Sequence, residues 1–169
     1  MDPDLFERAR RLGEALVARG WTLSTAESCT GGWIGECVTM VAGSSGWYDR
    51  GFITYSNAAK MQMLGVRADS LRDEGAVSEK IVLEMALGAL AHSDARIAVS
   101  VSGIAGPGGA TAGKPVGTVC LGWAVAGGDA HARTFHFEGG REAVRRQAVV
   151  AALDGVIALA EGRAPEGGA

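Results

Sequence analysis

Glycine falls in this chain in tight clusters that follow short apolar runs: Gly31-Gly32, Gly103 to Gly109, Gly127-Gly128 and Gly139-Gly140. Lacking a Cβ, glycine takes up positive φ and lets backbone approach another group closely, so such clusters mark turns or ligand contacts. There are twenty-six glycines in 169 residues, about twice the average usage of ~7%. The clusters cut the chain into short elements, each needing a partner to bury its apolar face. Residues 1–162 read as one domain and 163–169 as a frayed tail.

The elements follow from periodicity. Leu5, Ala9, Leu12 and Leu16 recur at helical spacing between the start signal Asp2-Pro3 and the stop at Gly20. Trp21 to Ala26 reads as a strand ending at Glu27-Ser28, and Gly31-Gly32 opens a helix over Trp33 to Met40. Tyr48 to Tyr55 is a strand, Asn57 to Leu64 a short helix, and Ser78 caps a helix reaching Ala91. Arg96 to Ser102 is a buried strand followed by a long Gly/Pro loop to Pro115, a kind of loop that is usually functional. Gly117 to Ala126 and Ala130 to Phe137 form a C-terminal β-hairpin, and Arg141 to Ala160 a last helix. Strands alternating with helices predict a three-layer α/β/α sandwich around a mixed sheet of about five strands.

A net charge of −3 with mixed signs shows neither a basic nucleic-acid stripe nor a polybasic membrane anchor. Cys29, Cys37 and Cys120 are odd in number and lack CxxC spacing, which fits reduced cytoplasmic thiols and neither a disulfide framework nor a zinc site. No apolar run approaches the ~20 residues that span a bilayer, and no signal peptide is visible. The expectation is a cytoplasmic protein with a small-molecule partner, no nucleic acid, no membrane, and no metal or other cofactor.

Three glycine-rich turns at strand ends, Ser28 to Gly32, Gly103 to Gly109 and Gly139-Gly140 before Arg141, suit a phosphate-bearing ligand, although none matches an established phosphate fingerprint. Ser28 stands at a strand–turn–helix junction. Its hydroxyl can act as a nucleophile, with backbone N–H groups of Thr30, Gly31 and Gly32 facing an oxyanion, or simply cap the helix, the commoner use of serine there. Cys29 is a rival nucleophile. His92, His131 and His136 lie at a helix end and on the hairpin, poor places for a catalytic base. Lysine can activate serine when burial lowers its pKa, and the chain holds three lysines against thirteen arginines. Lys60 follows the second strand closely enough to reach the Ser28 turn if the two strands are neighbours, with Tyr55 to orient it. Lys80 reads as solvated, Lys114 as a loop anchor or phosphate contact, and Arg141 and Arg145 share a helix face suited to phosphate. Glu27 offers a hydrogen bond but no acid pair.

The segments TAESCTGG (25–32), AGSSGWYDRGFITYSNAAK (42–60), LGV (64–66), GAVSE (75–79), SVSGIAGPGG (100–109), KPVGTV (114–119) and REAVRRQA (141–148) occur in this order. In them the chain resembles the competence-damage-inducible family, specifically the stand-alone form of its C-terminal domain, the nicotinamide mononucleotide deamidases. That resemblance implies hydrolysis of a nucleotide carboxamide without metal or cofactor, by nucleophile Ser28 and general base Lys60. Tyr55 and Asn57 are implied supports, and Ser44, Ser45, Ser102, Gly103, Gly106, Gly108, Arg141 and Arg145 implied ligand contacts, in a homo-oligomer. A pyrophosphatase-associated N-terminal domain found in many relatives is not expected here. Glu74 and Ser102 replace a histidine and a threonine common in relatives. The competing reading is a regulatory module that binds a nucleotide without turnover.

Overall fold

The structure, a computed structural model, describes residues 1–167. Helix α1 (Pro3–Arg19) starts where the Asp2 carboxylate accepts the N–H groups of Asp4 and Leu5, and stops at Gly20 in the left-handed region (φ 64°). Strand β1 (Leu23–Glu27) runs into α2 (Trp33–Thr39) through Gly32 at φ 103°. Strand β2 (Tyr48–Ile53) leads to α3 (Asn57–Leu64), capped by the Ser56 hydroxyl. Then come α4 (Ala68–Glu74), α5 (Glu79–Ala91), β3 (Ile97–Gly103), β4 (Thr118–Val125), β5 (Ala130–His136) and α6 (Arg141–Ala160). Helix α4 is an addition to the sequence reading. Its segment ADSLRDE buries Ser70 alone, so it shows no apolar period to detect.

The sheet order is β2-β1-β3-β4-β5, with β2, β1 and β3 parallel and β4 and β5 antiparallel. This is the expected mixed five-stranded sheet with its C-terminal hairpin. Inward-facing Leu23, Ile97, Val99, Val101, Leu121 and Trp123 meet α1, α2 and α6 on one face. Ala26, Ala98, Cys120 and Ala124 meet α3, α4 and α5 on the other, completing three layers. Among the described residues, no helix is long and apolar enough to cross a membrane.

Some glycines serve neither turns nor ligands. A Cβ on Gly155 of α6 would lie 2.3 Å from the indole of Trp123 on β4, and one on Gly13 of α1 would lie 2.7 Å from that of Trp47. Trp123 is fully buried, and its indole N–H donates to the Ala152 carbonyl at 3.2 Å. Each glycine is therefore a socket into which a large ring from the sheet layer fits. Helices α1 and α6 are further joined by Arg146 with Asp2 and Asp4 and by Arg8 with Asp154. The Arg146 hydrogen bond draws the Asp2 carboxyl down to about 2. These pairs are half-exposed and screened by solvent, so packing outweighs them.

The expected tail, 163–169, is described as far as Gly167. Pro165 is buried and Gly167 rests against the Phe135 ring, while 168–169 lie outside the described residues.

Substituting Gly155→Ala adds helix propensity worth up to about 1 kcal/mol but drives a methyl into a hydrogen-bonded indole, a clash costing about 1–3 kcal/mol. The clash wins because the ring is anchored. Thermal denaturation of the variant is expected to show a Tm a few degrees below that of the parent chain.

Candidate active site

Ser28 stands one residue past the end of β1, where its N–H donates to the Val101 carbonyl of β3 at 3.0 Å. On the other side of β1, the Thr54 N–H donates to the Glu27 carbonyl at 2.8 Å and extends the parallel ladder past Ile53. The Thr54 carbonyl then accepts a hydrogen bond from Lys60 Nζ at 2.9 Å, and the same nitrogen lies 2.9 Å from Ser28 Oγ and 3.3 Å from the Tyr55 carbonyl. A ring of contacts thus runs from Ser28 through Glu27, Thr54 and Lys60 back to Ser28. Parallel pairing of β1 with β2 is what brings the two side chains together.

Both groups are sequestered: Lys60 is 1% exposed and Ser28 8%. Burial disfavours the ammonium and lowers the Lys60 pKa from its ordinary value. A neutral amine suits the three contacts. In its neutral form the amine has two N–H bonds for the Thr54 and Tyr55 carbonyls and a lone pair for the Ser28 hydroxyl, the arrangement in which a serine can lose its proton. Cys29 differs. Its thiol belongs to the apolar core, and burial pushes it up to about 11.

Ser28 and Lys60 open into a cleft of about 210 Å³ that is also lined by Cys29, Tyr55, Asn57, Ser102, Gly103 and Arg141. Ala76 and Val77, from the link between α4 and α5, complete a wall that sequence reasoning missed. The quoted GAVSE segment was the available signal. Arg141, at the start of α6, donates to the Gly106 carbonyl at 2.9 Å and to the Tyr55 hydroxyl at 3.2 Å. None of the three histidines lines the cleft. Among the described residues, no group of three or more His, Cys, Asp or Glu side chains is placed to hold a metal ion.

Other expected residues stand elsewhere or are already engaged. Ser44 and Ser45 form a short 3₁₀ turn before β2, and Tyr48 pairs with Leu23 at the opposite end of β1. Ser28 is five residue steps from Leu23, about 16 Å along the strand, so these serines do not line this cleft. The sequence motif carried them next to the site in order but not in space. Gly31 N–H donates to the Ser28 carbonyl at 3.0 Å, which removes it from the oxyanion donors. Arg145 donates from Nε to the Cys29 carbonyl at 3.0 Å and from Nη2 to the Thr30 carbonyl at 2.9 Å, and its guanidinium lies over Trp33. Through these two nitrogens it braces the Ser28 turn. Gly108 is exposed and outside the lining. Lys114 donates to the Glu74 carbonyl at 2.7 Å and anchors the long loop, and Lys80 is exposed.

The chain is similar to known proteins over nearly its whole length. Residues 6–160 match the CinA C-terminal domain family. The nicotinamide-nucleotide amidohydrolase PncC of Escherichia coli K12 is 55% identical over 152 residues, 90% of this chain and 92% of that protein. The protein of the same name from Pseudomonas putida is 51% identical over 159 residues, 94% of this chain and 98% of its own length. Among solved structures, the competence/damage inducible protein CihA from Agrobacterium tumefaciens superposes with a TM-score of 0.91 at 46% identity, covering 94% of this chain and 97% of that one. With nearly its whole length matched in sequence and in fold, this chain belongs to the CinA C-terminal domain family.

Proposed function

We propose that this chain is a nicotinamide-nucleotide amidohydrolase that converts nicotinamide mononucleotide to nicotinate mononucleotide and ammonia through Ser28 and Lys60. The observation that carries the reading is the 2.9 Å contact between Lys60 Nζ and Ser28 Oγ inside a closed, buried setting. Extensive similarity to proteins named for that activity supplies the substrate.

Ser28 Oγ attacks the carboxamide carbon as its proton passes to Lys60 Nζ. The resulting oxyanion takes hydrogen bonds from the Ser28 turn, whose Thr30 and Gly32 N–H groups have no protein partner among the described residues. Lys60 then returns the proton to the leaving nitrogen, the C–N bond breaks, and ammonia departs from an acyl-enzyme. Water attacks that ester with Lys60 again accepting a proton, and nicotinate mononucleotide leaves as Ser28 is reprotonated. Arg141 takes the nucleotide phosphate, since it stands at the cleft with a guanidinium held by two neutral partners.

Purified protein should release ammonia from nicotinamide mononucleotide without added metal. Ser28→Ala and Lys60→Arg should each lower kcat by about 10²-fold or more; a variant that keeps the parent rate refutes this pair, and ligand-induced thermal stabilisation without any ammonia supports the regulatory module instead.

The pH profile follows from the lysine. Activity needs the neutral amine, and burial lowers the Lys60 pKa, so kcat/KM should rise with pH and level off below the ordinary lysine value of about 10.4. A plateau reached above that value contradicts the assignment.

The thiol alternative is tested by alkylation. With Cys29 held near 11 and buried, native protein should take up little iodoacetamide at mildly alkaline pH and keep its activity, whereas denaturant exposes the thiols to intact-mass detection.

A further inference from the structure

The side chain of Glu27 is unused by the chemistry above, yet it is 1% exposed directly before the nucleophile. Burying a carboxylate is costly unless hydrogen bonds compensate, and here three donors converge on it. Oε1 accepts from the Thr30 hydroxyl at 2.6 Å and the Ile34 N–H at 2.9 Å, and Oε2 accepts from the Gly35 N–H at 3.0 Å. No arginine or lysine pairs with it among the described residues. The bonds all lead to one object: the turn 28–32 and the helix start that follows it.

Gly35 allows the close seating. A Cβ there would lie 3.0 Å from the Tyr48 hydroxyl and 3.6 Å from Glu27 Oε2, so a side chain would press on the strand layer that its N–H now reaches. On the opposite side of the turn, Arg145 holds the carbonyls of Cys29 and Thr30. The turn is therefore clasped twice, by a carboxylate that takes its donors and by a guanidinium that takes its acceptors. Thr30 is common to both clasps.

We infer that Glu27 is a positioning residue for the nucleophile: through Thr30 and the first turn of α2 it fixes the direction of the Ser28 hydroxyl toward Lys60. This rests on the serine–lysine reading and extends it. A hydroxyl held by one hydrogen bond to a buried amine has to be aimed by its backbone, and a misplacement on the order of 1 Å can cost about 10²-fold in rate. Gln at position 27 can accept on one side but presents N–H on the other, against a donor. Thr30→Val removes one of the three donors while keeping the side-chain shape.

The test follows Ser28 directly, so it does not depend on which substrate the enzyme takes. Labelling by a fluorophosphonate is followed by intact mass on the full chain, Glu27→Gln, Thr30→Val and Thr30→Ser, with Ser28→Ala as the blank. Ammonia release and thermal melting are measured in parallel. The expected result is at least about 10-fold slower labelling and lower kcat for Glu27→Gln and Thr30→Val at temperatures where both are folded. KM should stay within about twofold, and Thr30→Ser should recover most of the rate lost in Thr30→Val. Parent labelling rates in folded Glu27→Gln and Thr30→Val overturn the inference, as does a parent chain that the reagent does not label at Ser28. If Glu27→Gln does not fold, the comparison of Thr30→Val with Thr30→Ser decides. A parent chain that labels but releases no ammonia refutes the substrate reading alone, and the labelling rates still judge Glu27.

Discussion

The last rung between β1 and β2, the Thr54 N–H donating to the Glu27 carbonyl, is the constraint on which the site depends. Each of its residues adjoins one half of the reactive pair. Glu27 precedes Ser28 in the chain, and the Thr54 carbonyl holds the Lys60 amine. Because a parallel ladder repeats at a fixed spacing, a slip of one residue would turn the side chains to the other face and separate the pair. The register is secured by β1, buried along its whole length and bonded on both sides. Strand register thus sets the spacing between the Ser28 and Lys60 positions.

A buried amine beside a serine is costly to hold, and the surrounding structure accounts for how it is tolerated. Burial favours the neutral form, and two backbone carbonyls take its hydrogens. Arginine could not replace it, since it keeps its charge. The same burial acts in the opposite sense on the neighbouring thiol, which it keeps protonated. One buried setting therefore lowers the lysine pKa and raises that of the thiol.

Much of the architecture was legible in order. The helix over Asn57 to Leu64, the Ser78 cap, the β-hairpin and the final helix appear where periodicity and capping residues put them. Helix α4 was not legible, because a short polar helix held by neighbouring segments leaves no apolar period. Glu27 was legible as a hydrogen-bonding group and Arg145 as a cation on the cleft side of the last helix, but the particular partners of neither were. Arg145 contacts backbone carbonyls of the Ser28 turn, and Glu27 takes two of its three donors from the backbone of α2; a contact with backbone leaves no signature in residue type.

Glycine shows the division most clearly. By itself the sequence determined where the chain can turn and that it alternates strand and helix, and it offered a serine and a lysine as candidates for a pair. It did not distinguish Gly32, which turns into a helix at positive φ, from Gly155, which is an ordinary helical residue emptied to admit an indole. Conformational freedom is a local property of the residue, whereas a socket exists only relative to what fills it. The tertiary structure alone decided that Ser44 and Ser45 stand at the far end of the strand. It alone brought Lys60 across 32 positions to Ser28, because hydrogen-bonded strands place side chains by register and not by distance along the chain.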